Sequence, residues 1–332
     1  MSKFIPGLEL SERFFFEAVK PILDKELPNL KYSAGLIGYG SEVLGFDTEE
    51  STDHHWGPRF LMFLEEENFD AQKVEIDKIL SEKLPHNFLG FSTNYTEGDK
   101  IGVRHPEPIT SGPIRHFVEF YTIKSYLEKR LNISSVESLT NVDWIKFPEQ
   151  RLLETISGKV FIDGLGKLEE MREALHYYPK DVWLYRLASE WQKISDIEAF
   201  VGRCGDVDDD LGSRLVASDI IKSIMNLCFL MERSYIPYSK WFGSGFKRLK
   251  SSEVLLPVLM NIMTSPDWKE RESNLSQAYK IIAHMHNNLN ITEKMSEEVE
   301  SYYGRPYLVI RADKFAEKIM DQIPEGSREE MK

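Results

Sequence analysis

The apolar pattern of this chain changes period once, near Phe147, and that change limits the possible folds more than any single motif does. Before it, short aromatic and β-branched runs are cut by glycine and proline: Trp56 to Leu64 around Pro58, and His116-Phe117-Val118-Glu119-Phe120-Tyr121-Thr122. Such runs read as strands. After it, apolar residues recur three and four positions apart. Leu184, Leu187, Trp191 and Ile194 follow Pro179; Leu211, Leu215, Ile221, Met225 and Cys228 make a second stripe; Leu275, Tyr279, Ile282, Met285 and Leu289 make a third. That spacing puts the apolar groups on one face of a helix. The pattern predicts an α+β protein with an α/β domain over residues 1–146 and an all-helical domain over 147–332.

Within the first part, Ser11 is placed to cap a helix running to about Leu27, with Phe15, Val19, Ile22 and Leu23 on its apolar face and Pro28 ending it. Tyr32 to Tyr39 reads as a strand leading into Gly40-Ser41, and Val74 to Leu84 as a short helix. The stretch from Gly98 to Pro113 reads as a long irregular or hairpin connection of the kind that carries function. An amphipathic run to Leu131 follows the second strand. Near the end, Tyr307 to Arg311 suggests a strand, Asp313 to Ile323 a helix, and the polar tail PEGSREEMK a frayed terminus.

A length of 332 residues suits two domains sharing an interface, a common place for a ligand cleft. The net charge of -13 makes the mean field repulsive to nucleic acid, and no local basic strip stands out, so a polymeric nucleic acid is not an expected partner. Cys204 and Cys228 lack any paired spacing for zinc or a disulfide framework. The first residues lack the basic start and uninterrupted apolar stretch of a leader, and no segment approaches the ~18 apolar residues of a membrane span. The expectation is a cytoplasmic protein without a membrane partner.

Chemistry concentrates between Gly40 and Arg59. Gly40 lets backbone approach a phosphate oxygen, and Ser41 adds a hydroxyl beside its own N–H. If the following segment is extended, Asp53 and His55 lie side by side on one face, at about 3.3 Å rise per residue. Glu119, in the middle of an aromatic strand, is the candidate for a third ligand. Each has a plainer reading as well. Asp53 suits a turn or helix cap, His55 a core histidine bonded to a carbonyl, Glu119 an ion pair with Arg115 or Lys124, and Arg59 packing or a salt bridge.

Gly40-Ser41 followed by Asp53-His54-His55 resembles the pattern of the nucleotidyltransferase superfamily, in which a glycine-serine turn precedes a strand bearing two acids one residue apart. More closely, SAGLIGYGSEVLGFDTEESTDHHWGPR looks like an uncharacterised nucleotidyltransferase-like family of mostly bacterial proteins, domain of unknown function 4037. The likeness continues through PEQRLLETISGKVFIDG, YYPKDVWLYRLASEWQKI, VGRCGDVDDDLGSRL and FLMERSYIPYSKWFGSGFKRL. It implies a nucleotidyltransferase-like α/β domain with a mixed sheet, joined to a helical domain of the kind that binds the acceptor. By the same resemblance, Gly40 and Ser41 match the triphosphate turn, Asp53 the first metal acid, and His55 the position of the second.

That histidine is a departure from the pattern. A neutral imidazole removes one negative charge and moves preference from Mg²⁺ toward Mn²⁺ or Zn²⁺. The expected activity is metal-dependent transfer of a nucleoside monophosphate, from a nucleoside triphosphate to a small-molecule or protein acceptor. Mg²⁺ or Mn²⁺ is held by Asp53, His55 and Glu119; Asp53 and Glu119 are catalytic; Gly40, Ser41 and Lys240 contact nucleotide. The alternative is a weakly active or inactive nucleotidyltransferase-like protein that binds a nucleotide or a partner. In the helical part Arg203, Asp210 and Arg214 also interrupt or flank apolar stretches, and Asp206 to Asp210 reads as an acidic helix N-terminus.

Overall fold

The computed structural model describes residues 4–100 and 102–331. Ile101, inside the connection expected from Gly98 to Pro113, and Lys332, at the end of the expected tail, lie outside the described residues. The protein is α+β with a mixed four-stranded sheet. It forms two compact units: residues 1–139 with 151–176, and residues 140–150 with 177–332. The pattern suggested one crossing at 146/147. The chain instead sends 140–150 to the second unit before returning to complete the first.

In the first unit, helix α1 (Gly7–Phe14) continues through a π-turn (Phe15–Val19) into α2 (Lys20–Glu26). Pro21 has no N–H for the helical ladder, and the wider turn just before it relieves the mismatch. Ser11 is not the cap. It lies inside α1 with its hydroxyl donating to Gly57 O, and the Gly7 N–H at the helix start donates to Asp47 Oδ2 at 2.7 Å. Leu10, Phe14, Phe15, Val19 and Leu23 are all buried on one face, against Phe60, Met62 and Ala34 of the sheet. Each such side chain contributes on the order of 1.5–3 kcal/mol by leaving water.

The sheet contains β1 (Ser33–Leu36), β2 (Arg59–Phe63), β5 (Phe117–Tyr121) and β6 (Lys159–Asp163) in the order β5-β2-β1-β6. β1 runs antiparallel to β2 and β6, whereas β2 and β5 are parallel, with Arg59 opposite Phe117 and Leu61 opposite Glu119. A parallel pair needs a long crossover. It is supplied by α3 (Phe69–Lys83), the short hairpin β3 (Asn87–Phe88) and β4 (Phe91–Ser92), and the connection after it. That connection is hairpin-like: Thr96 N donates to His105 O, Asp99 N to Val103 O and Glu107 N to Asn94 O. α4 (Ile123–Leu131) follows β5, capped by Thr122 with Ser125.

β6 belongs to a stretch that the helical pattern absorbed. It follows α6 (Glu149–Ile156) and precedes α7 (Leu168–Ala174). Gly158, at φ 75°, turns the chain from helix to strand, and a Cβ there would meet the Leu36 carbonyl oxygen at 2.0 Å.

The second unit is helical apart from one short ladder. α5 (Asn141–Lys146) precedes α8 (Lys180–Ile197), α9 (Phe200–Gly205), α10 (Asp210–Met231), α11 (Phe242–Phe246), α12 (Ser252–Thr264) and α13 (Trp268–Asn288). β7 (Glu300–Ser301) pairs with β8 (Leu308–Val309), before α14 (Ala312–Met320) and α15 (Glu325–Met331). Trp191 of α8 stacks on Phe315 of α14 with centroids 4.2 Å apart. The stripe expected on α10 is out of phase at its start. Leu211 and Leu215 are exposed, and the buried face is Ala217, Ile220, Ile224, Leu227 and Cys228. The tail is not frayed: α15 buries Met331 and Ser327 donates to Asp181. Among the described residues, no helix is long and apolar enough to cross a membrane.

Candidate functional site

The turn after β1 is built around two guanidinium groups. Gly38 has φ 89°, and a Cβ there would lie 2.4 Å from Arg130 Nη2. Gly40 has φ 130°, and a Cβ would lie 2.5 Å from Glu42 Oε2 and 2.6 Å from Arg59 Nη2. A side chain at either position is disfavoured by the positive φ, and it would also have to displace the guanidinium and carboxylate ends that crowd the turn. Arg59 is buried and donates from Nε and Nη2 to Glu42 Oε1, at 2.9 and 2.6 Å, and from Nη2 to the Tyr39 carbonyl at 2.6 Å. Burial disfavours the Arg59 charge, but Glu42 beside it more than compensates and raises its pKa. Arg59 therefore has the salt-bridging role. Ser41 is half-buried, and its carbonyl accepts from Phe46 N.

Tyr39 connects this turn to β5. The guanidinium carbons of Arg59 and Arg130 lie 4.7 and 5.1 Å from its ring centroid, and its hydroxyl donates to Glu119 Oε1 at 2.6 Å. Tyr121 donates to the other oxygen of Glu119 at 2.6 Å, and Lys129 Nζ lies 3.6 Å from it. Phe117, Glu119 and Tyr121 alternate along the strand, which is why Tyr121 reaches Glu119. Neither Arg115 nor Lys124 pairs with Glu119: Arg115 is engaged by Glu97, Glu107 and the Tyr95 carbonyl. Burial pushes the Glu119 pKa up, but the two phenol donors and the Arg59 and Lys129 charges outweigh it, and the net shift is downward.

The segment carrying Asp53 and His55 is not a strand. Thr48 and Ser51 form a capping box that starts a 3-10 turn over Glu49–Asp53, and extended pairing begins only at Arg59. Asp53 closes that turn with an exposed side chain, its Oδ1 2.8 Å from His54 Nδ1, and its carbonyl meets His105 Nδ1 at 3.0 Å. The hydrogen bond from His54 lowers its pKa. His55 has φ 50°, its N–H donates to Arg104 O, and its ring sits between Tyr39 and Phe117. Its Nδ1 is buried without a hydrogen-bond partner, and burial, reinforced by the Arg59 charge, lowers its pKa. The imidazole is accordingly neutral at pH 7.

His55 and Glu119 do share a cavity. About 450 Å³ in volume, it is also lined by Tyr39, Arg104, Lys129, Arg130 and Arg151, but not by Asp53. Four cations thus surround one lining carboxylate, with Glu154 behind Arg130 and Arg151 at 3.8 and 3.6 Å. Sequence reasoning missed Arg104, Arg130 and Arg151, which come from the hairpin connection, α4 and α6. Among the described residues, no three His, Cys, Asp or Glu side chains are grouped to hold a metal ion. Asp53, His55 and Glu119 as arranged do not make such a set.

The other singled-out residues belong to the second unit. Lys240 is exposed, its ammonium 4.8 Å from the Trp241 ring centroid. Asp209 caps α10 by accepting from Gly212 N, as the acidic N-terminus led one to expect. Asp210 binds Arg214 and the fully buried Arg271, and Arg203 lies over Phe200. Asp210 and Arg214 are thus held in ion pairs at the surface, and Arg203 lies exposed against an exposed ring.

Fold and cavity together define an α+β protein with a cation-lined cavity beside a parallel strand pair. Residues 144–242 match a family described as a domain of unknown function (DUF4037), and Arg151 of the cavity falls inside that stretch. No curated protein matches the chain.

Proposed function

We propose that the first unit binds a nucleoside triphosphate and transfers its nucleoside monophosphate to an acceptor hydroxyl. The observation that carries this reading is the cavity itself. It joins His55 from the Gly40-to-Arg59 segment and Glu119 from β5 to four cationic side chains. A volume of this size suits a small ligand, and guanidinium groups pair with phosphate through planar, charge-assisted hydrogen bonds. In the transfer, the acceptor oxygen bonds to the α-phosphorus, the bond from that phosphorus to the bridging oxygen breaks, and pyrophosphate leaves with the electron pair. The acceptor proton passes to solvent. Lys129, Arg130 and Arg151 stabilise the charge that builds on the phosphates. Glu119, ionised and held by two phenols, fixes Tyr39 and Tyr121 and is a weak base. Asp53, His55 and Glu119 as arranged do not fit Mg²⁺ or Mn²⁺, and dependence on either ion is read in the same assay.

A second reading is a nucleotide-binding protein with little turnover, and the position of Asp53 outside the cavity favours it. Labelled triphosphates incubated with Mg²⁺ or Mn²⁺ and an acceptor panel separate the two. Pyrophosphate release that is lost in Arg151→Ala supports transfer. Saturable binding with no release supports the second reading, and absence of any nucleotide binding removes both.

A further inference from the structure

A second, larger cavity of about 830 Å³ lies against β5, with α3 and the hairpin connection forming its other walls. It shares Arg104, Glu119 and Lys129 with the smaller cavity, so the two meet along those side chains. Its carboxylates are all engaged. Glu107 is held by Asn94 at 3.3 Å and Arg115 at 3.8 Å, Glu119 by two phenols, and Asp77 faces the buried His116 at 3.4 Å. Two of its cations are not matched in this way. Among the described residues, Arg104 has no carboxylate partner; it makes one 3.4 Å hydrogen bond to the His116 carbonyl and lies 5.0 Å over the Phe117 ring. Lys73 likewise has no carboxylate partner and lies 5.9 Å from the Phe69 centroid. Two cations without carboxylate partners, in a concave wall whose acids are each held by other donors, make a seat for an anion.

We infer that this cavity binds a second small molecule bearing a phosphate or carboxylate, held by Lys73 and Arg104. Arg104 presents a planar fork with most of its donors unused, which suits an oxyanion bidentately. Resting on the transfer reading above, the second molecule is the acceptor, and its free hydroxyl meets the nucleotide at the shared wall. Both substrates are then held by side chains of the first unit.

Inorganic phosphate and, in a parallel arm, citrate serve as probes, titrated calorimetrically into the full-length chain carrying Arg151→Ala. That substitution weakens the smaller cavity and leaves the larger one intact. Binding of at least one probe at one equivalent, weakened at least fivefold by adding Lys73→Ala and at least tenfold by adding Arg104→Gln, is the expected result. The arm that binds more tightly identifies the anionic group. Binding of neither probe, or binding indifferent to Lys73→Ala, overturns the inference. Lys73 is exposed, so its replacement leaves the fold intact. Nucleotide titrated into the unsubstituted chain tests the transfer reading separately. Failure there leaves the probe result standing, but as a site for an anion that is not an acceptor.

Discussion

The Tyr39 hydroxyl donates to Glu119 Oε1 at 2.6 Å, tying the turn after β1 to the middle of β5. With Tyr121 on the other oxygen, it keeps a mostly buried carboxylate ionised. Tyr39→Phe removes one donor and leaves a desolvated oxygen without it. The expected loss is about 1–3 kcal/mol, read from the urea midpoint. The pH dependence has a definite sign. Because the folded state lowers the Glu119 pKa, its contribution is complete above the ordinary carboxylate range near 4.5 and is lost as pH falls through the lowered value. The variant should begin acid unfolding at a higher pH than the parent; an unchanged acid limb would show that the phenol does not sustain the charge.

Glu42 and Arg59 should behave as a pair rather than as two residues. Glu42→Gln leaves the guanidinium buried without a counter-charge, at a cost of about 3–5 kcal/mol. Replacing both, Glu42→Gln with Arg59→Met, removes the stranded charge and should recover part of that loss. A double-mutant cycle in urea measures the coupling. Additive single and double effects would mean that the two groups do not act as a unit.

Glu198 makes the opposite pH argument in the second unit. Its oxygens accept from Ile310 N at 2.9 Å and Ala312 N at 3.3 Å, fastening α8 to the start of α14. Burial raises its pKa to about 7, the backbone donors opposing that and Asp313 adding to it. The folded state then holds a proton that the unfolded chain has released. Stability from this group is complete below about 4.5 and is lost as pH rises through about 7, by on the order of 3 kcal/mol. Glu198→Gln should flatten that slope in thermal melts taken between pH 5 and 8. A slope retained by the variant would assign it to another group.

Much of the fold follows from residue patterns, and the exceptions have local causes. Aromatic alternation identifies β5 and places Phe117 and Tyr121 beside Glu119. Helical spacing identifies α8 and α13, whereas on α10 it picks Leu211 and Leu215, which face outward, because a drifting stripe has more than one plausible phase. β6 escaped because its five residues follow a helix with only Ser157-Gly158 between them; that glycine, ahead of Val160, Phe161 and Ile162, was the available signal. The strand expected at Asp53 failed for a readable reason as well. Thr48 and Ser51 stand at capping-box spacing, which starts a turn. The cavity cations were hidden differently. Arg104, Arg130 and Arg151 are far apart in sequence, and only the packing of α4, α6 and the hairpin connection around Tyr39 brings them together.

If the cavity binds nucleotide as proposed, Asp53 and the cavity lining differ in what a single substitution should do to nucleotide affinity. Asp53 is exposed and partnered by His54, outside the cavity; Arg151 lines it, with a half-exposed side chain whose loss spares the core. Arg151→Ala should weaken nucleoside triphosphate binding about 10- to 100-fold, as expected for one charged hydrogen bond worth roughly 1.5–3 kcal/mol. Asp53→Ala should leave affinity within about twofold when no divalent cation is added, since no contact from its side chain reaches the cavity. Calorimetric titration of both variants, with and without Mn²⁺, provides the comparison. If the order is reversed without metal, the cavity is not where the phosphates sit. If Asp53→Ala weakens binding only with Mn²⁺, the ion reaches Asp53 after the nucleotide arrives, and the 3-10 turn must shift toward the cavity to bring it there.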